Sequence, residues 1–235
     1  MNGLKEDALN FGIHLSDEQL SQFYTYYQML IEWNEKINLT AITDFDEVIK
    51  KHFLDSLSIG RILNQDTDVS ILDIGTGAGF PGIPIKISFP NTEITLMDSL
   101  NKRVNFLNEV INTLGLEKIK ALHGRAEDFA KKDMFRESFD LCVSRAVANL
   151  SSLSEFCLPY VKVGGKFISY KSEKAMEELD VSKKAITILG GGNVTCDEFV
   201  LPGTDFNRTF VMIHKIKETP GKYPRKAGTP VKQPL

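Results

Sequence analysis

The sequence predicts an α/β protein: a mostly parallel sheet with helices on both faces, preceded by a helical segment. Three observations predict it. Short apolar runs at 69–74, 93–98, 118–123, 139–144 and 165–171 alternate with helical stretches, the rhythm of βα units. A glycine-rich turn, Gly75-Thr76-Gly77-Ala78-Gly79, follows the first run directly. Two further runs, 194–201 and 209–216, joined through Pro202-Gly203, close the pattern as an antiparallel pair and bring the strands to seven.

The first sixty residues read as helical. Ser16 and Gln19 form a capping box before an apolar run. Leu20, Phe23, Tyr24, Tyr27, Leu30 and Ile31 then recur at helical spacing, widened by Tyr26, Met29 and Trp33. A face this broad packs on a domain more readily than it holds a cofactor. Asn38-Leu39-Thr40 and Thr43-Asp44 end the helix, and a shorter helical piece covers 48–59. Within the α/β region, Val104, Leu107, Val110, Ile111 and Leu114 mark one helix face, and 150–160 and 173–189 supply two more helices. The organisation is a helical extension over 1–66, an α/β domain over 67–217 and a basic tail over 218–235.

Composition narrows the class. With 42% hydrophobic and 25% charged residues the chain has the makeup of a soluble globular protein. No run approaches the ~18 apolar residues of a membrane span, and residues 1–7 lack an apolar signal core, which argues against membrane insertion and secretion. Cys142, Cys157 and Cys196 are odd in number and far apart, so a reducing cytoplasm is the expected location. His14, His52, His123 and His214 are scattered without metal-ligand spacing, and no metal is expected. From Lys215 onward six cations face only Glu218, giving +5 in a chain of net −3, so residues 1–214 carry −8. The tail's prolines and glycines make it either a solvated tail or an ordered binding strap.

The glycine turn carries the first chemical signal. Its spacing is G-x-G-x-G, and Phe80 sits where a dinucleotide fingerprint places its third glycine. Asp73, two positions before Gly75, would repel a diphosphate but can engage an amino-acid ammonium, directly or through water. A nucleoside bearing an amino acid, such as S-adenosylmethionine, fits that polarity. Asp98, at the tip of the second strand, can accept from both ribose hydroxyls or begin the next helix; Ser99 can do the capping instead. Ala126 and Glu127, after the third strand, either border an adenine through backbone groups or simply open a helix. Ser144-Arg145-Ala146-Val147, at the fourth strand's tip, faces the reacting group. It lacks the Asn/Asp-Pro-Pro-aromatic motif of exocyclic-amine methylation, and no proline-cysteine turn presents a nucleophile. An acceptor already nucleophilic at neutral pH, such as guanine N7, suits what remains.

These features together resemble the bacterial small-subunit ribosomal RNA guanine-N7 methyltransferases, the RsmG or GidB family. The resemblance rests on Trp33-Asn34 with Asn38-Leu39-Thr40, His52-Phe53 with Asp55-Ser56-Leu57, and the stretch from Asp73 to Pro84. It extends through Asp98-Ser99 with Lys102-Arg103-Val104, Ser144-Arg145-Ala146, and Tyr223-Pro224-Arg225-Lys226-Ala227-Gly228-Thr229-Pro230. It implies a class I S-adenosylmethionine-dependent methyltransferase fold, Rossmann-like, with the N-terminal helical extension. The implied donor is S-adenosylmethionine and the implied partner is 16S ribosomal RNA or the small ribosomal subunit. The implied cofactor-contacting positions are Gly75, Phe80, Ala126, Glu127 and Arg145; Asp98 joins them on the ribose argument, with Asp73 and Gly77. No catalytic base is assigned, and a monomer is expected. Three other classes fit parts of the pattern: a small-molecule methyltransferase, for which the cationic tail has no use; a non-catalytic RNA-assembly factor; and a dehydrogenase, which Phe80 disfavours.

Overall fold

The computed structural model describes residues 1–145, 148–172 and 175–235. Ala146 and Val147 of the fourth-strand motif, and the predicted helix start at 173, lie outside the described residues.

The N-terminal part begins with α1 (Asn2–Leu9) and α2 (Asp17–Ile37). The capping box forms: the Gln19 N–H donates to the Ser16 hydroxyl at 3.1 Å, and the Ser16 N–H donates to the Gln19 side chain at 2.9 Å. The buried face of α2 is Leu20, Phe23, Tyr26 and Leu30. The stripe is therefore rotated from the predicted one: Tyr24 is exposed and edges onto Phe45, while Tyr26 is the aromatic that enters the core. After α2 the chain forms α3 (Phe45–Val48), a π-helical turn (Ile49–Leu54), α4 (Asp55–Leu57) and a 3-10 turn (Ser58–Arg61) without interruption.

The α/β part runs β1 (Ser70–Ile74), α5 (Gly82–Ser88), β2 (Glu93–Asp98), α6 (Asn101–Thr113), β3 (Ile119–His123), α7 (Ala126–Phe129) and β4 (Phe139–Arg145). It continues with α8 (Leu150–Cys157), β5 (Val161–Lys171), α9 (Ala175–Ile188), β6 (Gly191–Val200), β7 (Asn207–Lys215) and α10 (Thr229–Lys232). All seven predicted strands form one sheet in the order β3-β2-β1-β4-β5-β7-β6, parallel except for β7, which is antiparallel to both neighbours. β5 begins four residues earlier than predicted. Gly164, at φ +92°, and Gly165 interrupt the apolar run in sequence, but the strand continues through them across a bulge opposite β4.

Successive residues of the central strands feed opposite faces. Ile71, Leu96 and Val143 join the core shared with α1, α2, α5 and α6; Leu72, Met97 and Cys142 join the core under α8 and α9. β2 and β3 lie on one side of β1 and β4 on the other, so the winding reverses between β1 and β4. Such a switch point opens a crevice at the carboxyl ends of those strands. No helix among the described residues is long and apolar enough to cross a membrane.

Candidate active site

β1 delivers its glycine turn into that crevice. The Gly75 and Thr76 N–H groups donate to the Met97 carbonyl at 2.9 and 3.2 Å, and the Tyr26 hydroxyl donates to the Ala78 carbonyl. The N-terminal extension thus braces the turn directly. Gly77 takes φ +61°, a conformation that a side chain disfavours, and a β-carbon there would meet nothing within 4 Å. This side of the turn is open. Gly82 is the reverse case: its β-carbon would fall 2.2 Å from Leu96 Cδ2 and 2.8 Å from Asp73 Oδ2. Its lack of a side chain lets α5 seat against the sheet.

Two carboxylates flank the turn. Asp73 is fully buried; its Oδ2 accepts from the Thr76 hydroxyl at 2.6 Å and the Gly82 N–H at 2.8 Å, while Oδ1 is buried without a partner among the described residues. Burial pushes its carboxyl up to about 6, against the pull of those two hydrogen bonds. Asp98 accepts from the Gly77 N–H at 3.0 Å, the Leu100 N–H at 2.9 Å and Arg103 at 3.4 Å. An ionised carboxyl has about four acceptor positions, so one remains on the Oδ1 side. Asp98 is thus anchored at the start of α6 with acceptor capacity to spare; Ser99 does not cap that helix.

Asp98 stands in the wall of a cleft of about 440 Å³, together with Gly75, Arg103, Arg125, Ala126 and Glu127. Gly228 and Val231 complete the wall from the C-terminal segment. The Glu127 carboxylate is buried and accepts the Gly228 N–H at 2.9 Å, so it does more than open α7. The Ala126 carbonyl accepts from the Tyr160 hydroxyl at 2.6 Å.

A second cleft, of about 660 Å³, opens on the β4–β5 side of the switch point. Lys51, Arg145, Lys171 and Arg208 line it, with Asp55 and Glu178 as the opposing charges. Arg145 donates to Asp55 Oδ2 at 2.8 Å and to His52 Nδ1 at 3.2 Å; Arg208 donates to Asp55 Oδ1 at 2.6 Å. His52 is engaged at its other nitrogen by the Thr40 hydroxyl at 2.8 Å, and burial together with Arg145 pushes its imidazole down to about 4. The Thr40 hydroxyl then accepts from Nε2–H, and Nδ1 accepts the hydrogen bond from Arg145.

The structure brings Gly75, Asp98, Ala126 and Glu127 together in the first cleft. Gly77 reaches it through Asp98, and Asp73 lies buried beneath the turn. Phe80 and Arg145 belong to the second constellation: Phe80 stacks on His52 at 4.5 Å, with the Arg145 guanidinium 5.1 Å from its ring centre.

The sequence profile of the GidB family, described as rRNA small subunit methyltransferase G, matches residues 19–205. A protein of Lachnoclostridium phytofermentans named ribosomal RNA small subunit methyltransferase G is 57% identical over 96% of this chain and 93% of its own length. One of the same name from Desulforamulus reducens is 53% identical over 99% and 97%. The chain belongs to the rRNA small subunit methyltransferase G family. A SAM-dependent methyltransferase from Aquifex aeolicus superposes with a TM-score of 0.53 at 17% identity, covering 74% of this chain and 94% of that one. That likeness concerns the fold, which is the class I methyltransferase fold.

Several lining residues carry no role that their sequence alone reveals. Arg103, Arg125, Gly228 and Val231 line the first cleft, and Lys51, Lys171 and Arg208 the second. Arg103 and Gly228 sit inside motifs that carry the resemblance, a signal that locates them without giving their task. Lys171 ends β5 and Arg208 is the second residue of β7, and the β5–β7 pairing brings those strand ends to the same cleft.

Proposed function

We propose that this protein transfers a methyl group from S-adenosylmethionine to N7 of a guanine in 16S ribosomal RNA of the small ribosomal subunit. Membership of the family carries this reading, joined to one observation: an anchored acid at the tip of β2, Asp98, in the wall of a cleft at the switch point. The residues present fit the donor. Asp98 has acceptor capacity for ribose hydroxyls, the orphaned Asp73 Oδ1 suits an ammonium or a water bridging to it, and the open side of Gly77 admits close backbone approach. When bound, S-adenosylmethionine supplies a methyl group activated by its sulfonium centre.

The second cleft is the acceptor side in this reading. Its cations suit a phosphate-bearing partner. Both nitrogens of His52 are occupied and its imidazole is neutral at neutral pH, so it orients Arg145 and takes up no proton. An acceptor such as guanine N7 carries a lone pair at neutral pH and asks for no base. The chain's contribution is then positioning and exclusion of water.

Incubation of the protein with small subunits and methyl-labelled donor, followed by reduction and aniline cleavage, tests this. One donor-dependent 7-methylguanosine is expected. Donor binding without any modified guanine in subunit or naked RNA would overturn the acceptor assignment.

A further inference from the structure

By sequence Arg225 is one of the six cations that make the C-terminal segment positive. The structure turns Arg225 inward. Its backbone N–H donates to Glu155 Oε1 at 2.7 Å, Nε donates to both carboxylate oxygens at 2.9 and 3.0 Å, and Nη2 donates to Oε2 at 2.6 Å. Glu155, on α8, is 1% exposed. A forked guanidinium on a buried carboxylate is geometrically demanding, and removal of either partner strands the other's charge.

Clamps on both sides hold the same segment. Upstream, Arg136 donates to the carbonyls of Thr219 and Tyr223 at 2.6 and 3.0 Å, and Glu137 accepts the Thr219 N–H at 2.6 Å. Downstream, Glu127 takes the Gly228 N–H, and the Ser152 hydroxyl donates to the Pro230 carbonyl at 2.7 Å. Held in this way, the segment presents Gly228 and Val231 to the first cleft, while Lys222, Lys226 and Lys232 are exposed. Glu127 does double service, lining the cleft and holding the strap.

We propose that residues 219–235 form a fixed wall of the donor cleft, locked by the Glu155–Arg225 pair, and that Arg225 is a positioning residue for donor binding. This rests on the reading of the first cleft as the donor site. A ligand seated there touches the strap, so strap order and donor affinity are linked, each raising the other.

The full chain, a chain ending at Lys226, and the variants Arg225→Met and Arg225→Lys test it. The truncation keeps the upstream clamps and the ion pair, so its folding is checked by an unchanged melting profile of the α/β domain. Binding of S-adenosylhomocysteine by calorimetry is expected to weaken at least tenfold in the truncation and in Arg225→Met, with partial recovery in Arg225→Lys. In the full chain the same ligand is expected to slow tryptic cleavage after Lys226 about tenfold. Truncated protein that binds within twofold of the full chain, or cleavage indifferent to ligand, overturns the wall alone. Full-length protein that binds neither S-adenosylmethionine nor S-adenosylhomocysteine overturns the donor reading of the cleft and the wall with it.

Discussion

Arg145, at the tip of β4, is paired at 2.8 Å with Asp55, ninety positions earlier in the chain, on a side chain only 7% exposed. Arg208 occupies the other carboxylate oxygen at 2.6 Å. One carboxylate therefore gathers cations from β4 and β7 onto the extension, and the pairing makes each residue as much structural as functional. Asp55→Asn leaves two guanidiniums facing a neutral amide; unfolding in urea is expected to show a loss of about 3 kcal/mol. Arg145→Ala is expected to cost less, about 2 kcal/mol, because Asp55 keeps Arg208. It should also reduce methyl transfer beyond what that lost stability explains. Equal costs for the two variants would show that the carboxylate is not shared.

Asp98 has a narrower task. Asp98→Ala removes the acceptor for the Gly77 and Leu100 N–H groups as well as any ribose contact. At about 1–3 kcal/mol for a hydrogen bond to a charged group, affinity for S-adenosylmethionine is expected to fall roughly five- to a hundredfold. Calorimetry on the folded variant checks it, and an unchanged affinity removes Asp98 from the site.

Gly77 and Gly82 separate two reasons for glycine in one motif. Gly77→Ala meets open space and pays only for its left-handed backbone, about 1–2 kcal/mol, so a modest stability loss with a larger loss of donor affinity is expected. Gly82→Ala drives a methyl group into Leu96 and Asp73, and a loss of about 1–3 kcal/mol from overpacking is expected even without ligand. Paired thermal melts with and without S-adenosylhomocysteine distinguish them. A ligand-induced stabilisation preserved in Gly77→Ala would place the ligand away from the turn.

What the sequence made legible follows from what is local. The parallel strands, the glycine turn and the capping box at Ser16 are written in adjacent residues, and the structure has them all. The rotation of the α2 stripe toward Tyr26 was not legible, because it depends on the Ala78 carbonyl, 52 residues away. The inward turn of Arg225 was hidden for the same reason: its partner Glu155 reads as an ordinary acid on a helix until α8 and the strap are packed together. Net charge by segment counts Arg225 and Lys215 as free cations. In the fold Arg225 is paired, and Lys215 is buried with its ammonium on Glu137, its pKa lowered by that burial.

Protonation of half-buried His52 and of buried Asp73 moves stability in opposite directions. The imidazole of His52 holds its neutral form in the fold down to about pH 4, whereas the unfolded side chain takes a proton near 6.5. Stability from this group is therefore present above about 6.5 and lost as pH falls toward 4. The Asp73 carboxyl, raised to about 6 from 3.8, takes a proton earlier in the fold than unfolded, so acidification through that window adds stability. The two offset one another in the parent. His52→Gln is expected to flatten or reverse the acid loss, and Asp73→Asn to steepen it, each by up to about 1.4 kcal/mol per pH unit. Urea midpoints between about pH 4.5 and 7.5 read these slopes; parallel curves for all three proteins would contradict both assignments.

The strap redistributes the positive charge available to RNA. Of the six cations from Lys215 onward, Arg225 is committed to Glu155 and Lys215 to Glu137, which leaves Lys217 exposed just before the strap and Lys222, Lys226 and Lys232 exposed on it, next to a cleft that already carries Arg103 and Arg125. Each phosphate neutralised on single-stranded RNA contributes about −0.7 to the slope of log affinity against log salt. Joint replacement of Lys222 and Lys226 by alanine is expected to flatten that slope by about 1.4 if each meets one phosphate, with donor affinity unchanged. Arg225→Met is expected to do the opposite, leaving the slope alone and weakening the donor. Filter binding to ribosomal RNA across a salt series makes the comparison. A flattened slope in Arg225→Met would return that residue to the RNA surface; slopes unmoved in the double lysine variant would shift phosphate recognition to Lys51, Lys171 and Arg208 around the second cleft.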